Sequence, residues 1–322
     1  MKVTDKRRKI VIIGAGKVGA SLAYTVVLRN LASELVLVDT DRDRASGEAL
    51  DISHGIAYLR QVTVRDGDFA DCADADIIVI SAGIPRRPGQ SRLDLAQTNI
   101  EVAQDIVRRI MQHATNPLII VISNPVDILT YVVQRESGLP ASRVIGSGTT
   151  LDTGRFRYLL SRHCNVDVRN VHADIIGEHG DGSVPVWSRV TIASKPFHEY
   201  CADCKKRCLN INREQIFEQT RAAGAEIIRM KGATFYGVAL AAVRIIEAVM
   251  DDEHTVMTVS SVMSGSYGIM DVALSLPCVI NAKGIDRYLN VHMSDDELRR
   301  LQESAAHLKA ALDAVYSPVS EG

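Results

Sequence analysis

Nine histidines are spread along the 322 residues, and one of them stands where proton transfer would be easy. His179 lies in Ile176-Gly177-Glu178-His179-Gly180-Asp181-Gly182, a glycine-flanked turn between two extended runs. Imidazole titrates near neutrality, and small neighbours give access to it, so His179 suits a general acid or base better than His113 on a helix face. Leu151-Asp152-Thr153-Gly154-Arg155-Phe156-Arg157 opens a helix on which Asp152 and Arg155 share a face. Alone they read as a helix ion pair. Facing a pocket, Asp152 would orient His179 and Arg155 would fork a carboxylate. A third segment, residues 81–95, holds Gly83, Gly89, Pro85, Pro88, Arg86, Arg87 and Arg92 after an apolar strand, the composition of a lid that brings a cation onto a bound substrate and excludes water. Together the groups suit reduction of a 2-keto acid: a clamp for the carboxylate, a cation on the ketone oxygen, a proton donor and its orienting acid.

That chemistry needs a hydride source. Ile10-Val11-Ile12-Ile13-Gly14-Ala15-Gly16-Lys17-Val18-Gly19 is G-x-G-x-x-G directly after a strand and opening a helix. Gly14 permits the turn, Gly16 lets backbone approach a pyrophosphate at the helix N-terminus, and Gly19 lets helix and strand pack closely. Asp39 follows Gly19 by twenty residues at the end of the next strand, placed to accept from a ribose 2′-hydroxyl and to repel a 2′-phosphate, so NAD is expected rather than NADP.

The elements that must position these residues follow from periodicity. Strands are expected at residues 9–13, 34–39, 77–81 and 118–123, and helices at 15–30 and 42–59. Near-continuous apolar strands alternating with helices imply right-handed βαβ units around a parallel sheet. The rhythm then changes: a helix at 149–161, extended runs at 169–176 and 184–192, helices at 213–229 and 234–250, strands at 256–264 and 271–280, and a last helix at 295–315. The expected fold is α/β, an N-terminal parallel Rossmann sheet (residues 1–147) followed by a mixed α/β catalytic domain (148–322).

The bulk properties restrict partners. With 37 Lys and Arg against 39 Asp and Glu the net charge is −2, which gives nucleic acid or an anionic membrane no general hold. No apolar run approaches the roughly 20 residues of a membrane span, and the one after the basic N-terminus stops at Gly14, so a cytoplasmic protein is expected. Its six cysteines would then be thiols. The cluster Cys201, Cys204 and Cys208 has His198 nearby but no second Cys-x-x-Cys, so no metal site is expected.

GAGKVG, LVDT, SAGIPRRPGQSRLDL, SNPVDILT, GSGTTLDTGRFRYL, IIGEHGDGSVPVWS, KGATFYGVAL and YGIMDVALSLPCVI span nearly the whole chain. With them the sequence resembles the L-lactate/L-malate dehydrogenase family, most closely its bacterial lactate-specific members. The resemblance implies His179 as proton donor and acceptor, Asp152 as its partner, Arg92 on the carbonyl, and Arg155 on the carboxylate. It adds Asn124 at substrate and nicotinamide, and Thr234 lining the substrate pocket. Val18, Gly83 and Ser123 join Gly14, Gly16, Gly19, Asp39 and Asn124 in the expected cofactor set. Arg157 and His172 match an arginine and a histidine that bind fructose 1,6-bisphosphate between subunits of allosteric members, which implies a homotetramer. Pyruvate and L-lactate are the implied substrates, in glycolysis and fermentation.

Arg86 departs from the lactate pattern, where glutamine is common. An arginine there suits the second carboxylate of oxaloacetate, so malate dehydrogenase is the first alternative, and a non-catalytic NAD-binding protein the second. Intact Asp152, Arg155, His179 and Arg92 argue against the latter.

Overall fold

The structure is a computed structural model that describes residues 8–84, 92–203 and 212–316. Arg86, Arg87, Gly89, Cys204 and Cys208 lie outside the described residues. The chain begins β1 (Lys9–Ile13), α1 (Lys17–Leu28), β2 (Glu34–Val38), α2 (Arg42–His54), β3 (Thr63–Asp66) and β4 (Ile77–Ile80). It continues with α3 (Arg92–Met111), β5 (Leu118–Val121), α4 (Val126–Ser137) and β6 (Val144–Gly146). These six strands pair in parallel in the order β3-β2-β1-β4-β5-β6. The order reverses between β1 and β4, the switch point at which open α/β sheets bind ligands beyond their carboxyl ends.

Every residue of β1, β4 and β5 is buried because both faces of the sheet are covered. Alternation along the strands divides the core. Ile10, Ile12, Ile77, Val79 and Ile120 face one layer with Leu22 and Val26 of α1. Val11, Ile13, Ile78, Ile80 and Val121 face the other with Ile100 and Val107 of α3.

The second half supplies α5 (Thr150–Cys164), β7 (Val171–His172), β8 (Ile175–Gly177), β9 (Ser183–Pro185), β10 (Thr191–Ile192), β11 (Lys195–Pro196) and α6 (Phe197–Asp203). It ends with α7 (Arg213–Lys231), α8 (Tyr236–Met250), β12 (Thr255–Ser264), β13 (Met270–Asn281), β14 (Gly284–Tyr288) and α9 (Asp295–Val315). β12 pairs antiparallel with β6 through Ser260 and Gly146, and β13, β8 and β9 follow, so among the described residues one eleven-stranded sheet runs through both halves. β7, β10 and β11 form a small separate sheet. Phe156, Leu160, Ile175, Ile192 and Phe217 fill a further core between α5 and α7.

Several elements depart from their expected bounds. α1 starts at Lys17 because Ala15 and Gly16 belong to the turn, where Gly16 is extended. α2 ends at His54 and tightens into a 3-10 turn over Gly55–Tyr58. The run 169–176 is not one strand: Asp167 caps a 3-10 turn at Val168–Asn170, and β7 is separated from β8 at Ala173 and Asp174. The run 184–192 is broken likewise by the turn Trp187–Arg189. α8 begins at Tyr236, which leaves Thr234 in the preceding loop.

Candidate active site

α5 and the turn after β8 meet at His179. Gly148, at φ +46°, brings the start of α5 under the sheet; a Cβ there would lie 2.1 Å from the Ser275 hydroxyl. Asp152 in the first turn of α5 is buried, and its Oδ2 lies 2.6 Å from Nδ1 of His179. Arg155 donates from Nη1 to the other oxygen, Oδ1, at 3.1 Å. Three residues that the sequence placed in one constellation thus form a continuous His179–Asp152–Arg155 set. Burial works against a charged imidazole, yet Asp152 beside the ring outweighs it and holds the His179 pKa above its ordinary value. Burial also works against the Asp152 charge, and His179 with Arg155 holds it below the ordinary carboxylate range. Nδ1 is engaged and the side chain is 26 % exposed, so Nε2 is the nitrogen left to meet a substrate.

A cleft of about 780 Å³ opens beyond β1 and β4, lined by Gly14, Gly16, Asp39, Phe69, Gly83 and Arg109 among others. Its glycines divide by role. A Cβ on Gly14, which has φ +106°, would come 2.5 Å from Ala82 N, and one on Gly19 would come 1.8 Å from Gly14 O. Both are required by packing. A Cβ on Gly16 would meet nothing within 4 Å, so the space above it is free for a ligand. α1 has no side-chain cap and no acid in its first turn, which leaves its first amides to an anion. Asp39 also lies in the cleft wall and ties the turn to β2 by accepting from Ala15 N at 2.7 Å; capping of α2 falls instead to Asp41. The donors and the open cradle fit a dinucleotide.

Side chains absent from the sequence reading connect this cleft to His179. Ser81 Oγ donates to Gly14 O at 2.7 Å. Asn99, buried on α3, accepts from Ile84 N at 2.8 Å and donates to Asn124 O at 2.9 Å. Three residues past Asn124, Asp127 accepts the backbone N–H of His179 at 2.7 Å and the Ser260 hydroxyl at 2.6 Å. A polar residue on an otherwise apolar helix face was the available signal for Asn99 and Asp127; their partners, 15 to 133 residues away, had none.

The other expected site residues are placed as follows. Asn124 is exposed, and its bond to Pro125 is cis. Ser123 is buried and donates to Ala82 O at 2.6 Å, so its hydroxyl is committed to holding the loop after β4. Gly83 lines the cleft, and Val18 is half-buried in the first turn of α1. Thr234 is half-buried just ahead of α8, whose Gly237 sits against Leu151, next to Asp152. Gly224 of α7 lies beside the Arg155 guanidinium. Arg92 is the first residue of α3. Arg157 turns away from Arg155 and grips Ala173 O at 2.8 Å and Asp174 at 2.9 Å, beside the exposed His172.

Comparison with known proteins agrees with this geometry. Residues 8–146 match the lactate/malate dehydrogenase NAD binding domain, and residues 149–318 the lactate/malate dehydrogenase alpha/beta C-terminal domain. The chain is 47% identical over 302 residues to an L-lactate dehydrogenase of Acetivibrio thermocellus, covering 94% of this chain and 95% of the relative. It is 44% identical over 311 residues to L-lactate dehydrogenase 1 of Clostridium acetobutylicum, covering 97% and 99%. The crystal structure of the minor L-lactate dehydrogenase of Enterococcus mundtii in its ligands-bound form superposes with a TM-score of 0.92 at 39% identity, covering 96% of this chain and 99% of that one. Matches of this extent across both halves, over a site with this arrangement, mean that the chain belongs to the lactate/malate dehydrogenase family.

Proposed function

We propose that this protein is an NAD-dependent L-lactate dehydrogenase that interconverts pyruvate and L-lactate. The observation that carries the reading is the His179–Asp152 hydrogen bond at 2.6 Å in a partly buried site, together with the lactate specificity named for similar relatives. NADH supplies the hydride when bound. His179 gives a proton to the ketone oxygen from Nε2, and Asp152 holds the ring in the correct tautomer and stabilises its charged form. Arg155 takes the substrate carboxylate, exchanging part of its hold on Asp152 for it. Arg92 polarises the ketone, Asn124 and Thr234 line the substrate position, and Gly14, Gly16, Val18, Gly19, Asp39, Gly83 and Ser123 form the cofactor site.

Arg86 supports a second reading, malate dehydrogenase, because a guanidinium has no partner over the pyruvate methyl group and a strong one in oxaloacetate. Measuring kcat/KM for pyruvate and oxaloacetate with NADH, in the native protein and in Arg86→Gln, separates the two. Lactate specificity predicts that pyruvate leads in both proteins. Oxaloacetate leading more than about tenfold in the native protein, equivalent to about 1.4 kcal/mol of transition-state preference, would assign the malate reaction.

The same proposal includes a cytoplasmic homotetramer in glycolysis and fermentation, activated by fructose 1,6-bisphosphate at Arg157 and His172. Exposed Tyr24 and Leu28 of α1, Leu50 of α2, and Tyr236 and Leu240 of α8 support association of subunits. Asp174 pairs with Arg157, so an anionic activator would compete with or share the guanidinium with a carboxylate. The domain boundary proposed at 147/148 falls where β6 passes into α5.

A further inference from the structure

Both α7 and α8 bear on the site, and residues 232–235 join them. α7 passes the Arg155 guanidinium at Gly224, and α8 packs on Leu151, next to Asp152, at Gly237. The joining loop carries Thr234. Gly232 ends α7 in the left-handed region at φ +84°. At the other end Phe235 holds the N-cap position of α8 without a capping side-chain hydrogen bond, and the first turn of α8 holds no acid. Capping therefore does not fix where this loop enters α8.

An ammonium and two rings tie it instead. Lys231, the last residue of α7, places Nζ 3.5 Å from the centre of the Phe235 ring and 4.2 Å from that of Tyr236. The two rings meet edge to face with centroids 4.4 Å apart. At such distances the ring quadrupole attracts a cation. The contact links the end of α7 to the start of α8 across the loop, and Thr234 precedes Phe235 inside the link. Thr234 and Phe235 are half-buried while Lys231 is exposed, so the strap closes the loop from its solvent side. We propose that Lys231 is a positioning residue for substrate choice: by clasping Phe235 and Tyr236 it holds Thr234 at the depth that limits the side chain of the 2-oxo acid. This rests on the reading of Thr234 as part of the substrate wall. It gives a residue outside the pocket control over how large a substrate the pocket admits.

The test uses the full-length protein, with kcat and KM measured for pyruvate and for 2-oxobutyrate, one methylene longer, in native protein, Lys231→Gln and Lys231→Arg. The three residues have similar helix propensity, so α7 is preserved. Glutamine cannot make the cation contact, and the arginine guanidinium can. In Lys231→Gln the KM for pyruvate should rise about threefold with kcat within about twofold of native, since binding must then order the loop. The kcat/KM ratio of pyruvate over 2-oxobutyrate should fall about fivefold. Lys231→Arg should restore both. A contact that only stabilises the fold would lower the melting temperature and leave the ratio at its native value, and that result overturns the proposal. So does a ratio that falls equally in Lys231→Gln and Lys231→Arg. Should Lys231→Gln not fold, Phe235→Leu decides, since it removes the ring nearest the ammonium; an unchanged ratio there overturns the proposal. Thr234→Ala separates the strap from the reading beneath it. If Thr234→Ala alters the ratio while Lys231→Gln does not, Thr234 stays in the wall and the strap's role is overturned. If Thr234→Ala alters nothing, the place of Thr234 in the wall falls, and the proposal with it.

Discussion

Asp152 and Asp127 hold one histidine, and burial penalises the charge of both. Asp152 has two cationic neighbours, and its pKa is depressed, so its contribution to stability is present above the ordinary carboxylate range and lost as pH falls through its lowered value. His179 has a raised pKa, so its contribution is full below about 6.5 and lost as pH rises through the raised value. The pair therefore stabilises most between those limits. Asp127 runs the other way. Its rise from 3.8 to about 6 means that the native protein loses stability as pH climbs through that interval, by roughly 3 kcal/mol at about 1.4 kcal/mol per unit. Urea unfolding at about pH 4.5 and about pH 7.5 should show Asp127→Asn gaining on native protein at the higher pH. A constant difference between the two proteins would refute the burial cost. The shared face of Asp152 and Arg155 and the tight turn at Gly14 were legible in the sequence because local spacing sets both, and the meeting of Asp152 with His179 was expected from the chemistry that the three residue types would perform together. Asp127, Asn99 and Ser260 were not, because each acts on backbone or side chains that only the fold brings near.

At the scale of elements, strands were the most legible, since β1, β4 and β5 are apolar throughout and match their expected positions closely. Ends and breaks were not, because they depend on tertiary grips. Arg157, held on α5, takes Ala173 O and Asp174 at the gap between β7 and β8. The glycine turn gives the sharpest test at this scale. Gly16→Leu should fold and melt near native protein, since its space is empty, yet bind NADH more than about tenfold more weakly because the side chain fills the phosphate cradle. Gly19→Ala should lose several kcal/mol or fail to fold, because its Cβ would strike Gly14 O. Thermal melts with NADH fluorescence titrations read both; unchanged NADH affinity in Gly16→Leu would remove the dinucleotide from this turn.

For the molecule as a whole, the sequence foresaw a parallel sheet and a mixed second half but not that β12 and β13 extend the first sheet through β6. A pairing between Ser260 and Gly146 leaves no local pattern. Its consequence is that the strand bearing Ser260, which bonds Asp127, is an extension of the sheet whose switch point forms the cofactor cleft. Assembly is tested at this scale too. Sedimentation should give a tetramer, and fructose 1,6-bisphosphate should lower the pyruvate KM of native protein several-fold while leaving Arg157→Gln unaffected. An equal response in both proteins would place the activator elsewhere.

The proposed reaction turns on His179 as the group that hands a proton to the substrate. Single-turnover oxidation of bound NADH by pyruvate, followed in native protein and in His179→Asn, examines that step alone. The rate should fall by about 10² to 10⁴ while NADH binding stays within about twofold of native. A variant that binds NADH normally and reduces pyruvate at the native rate would contradict it.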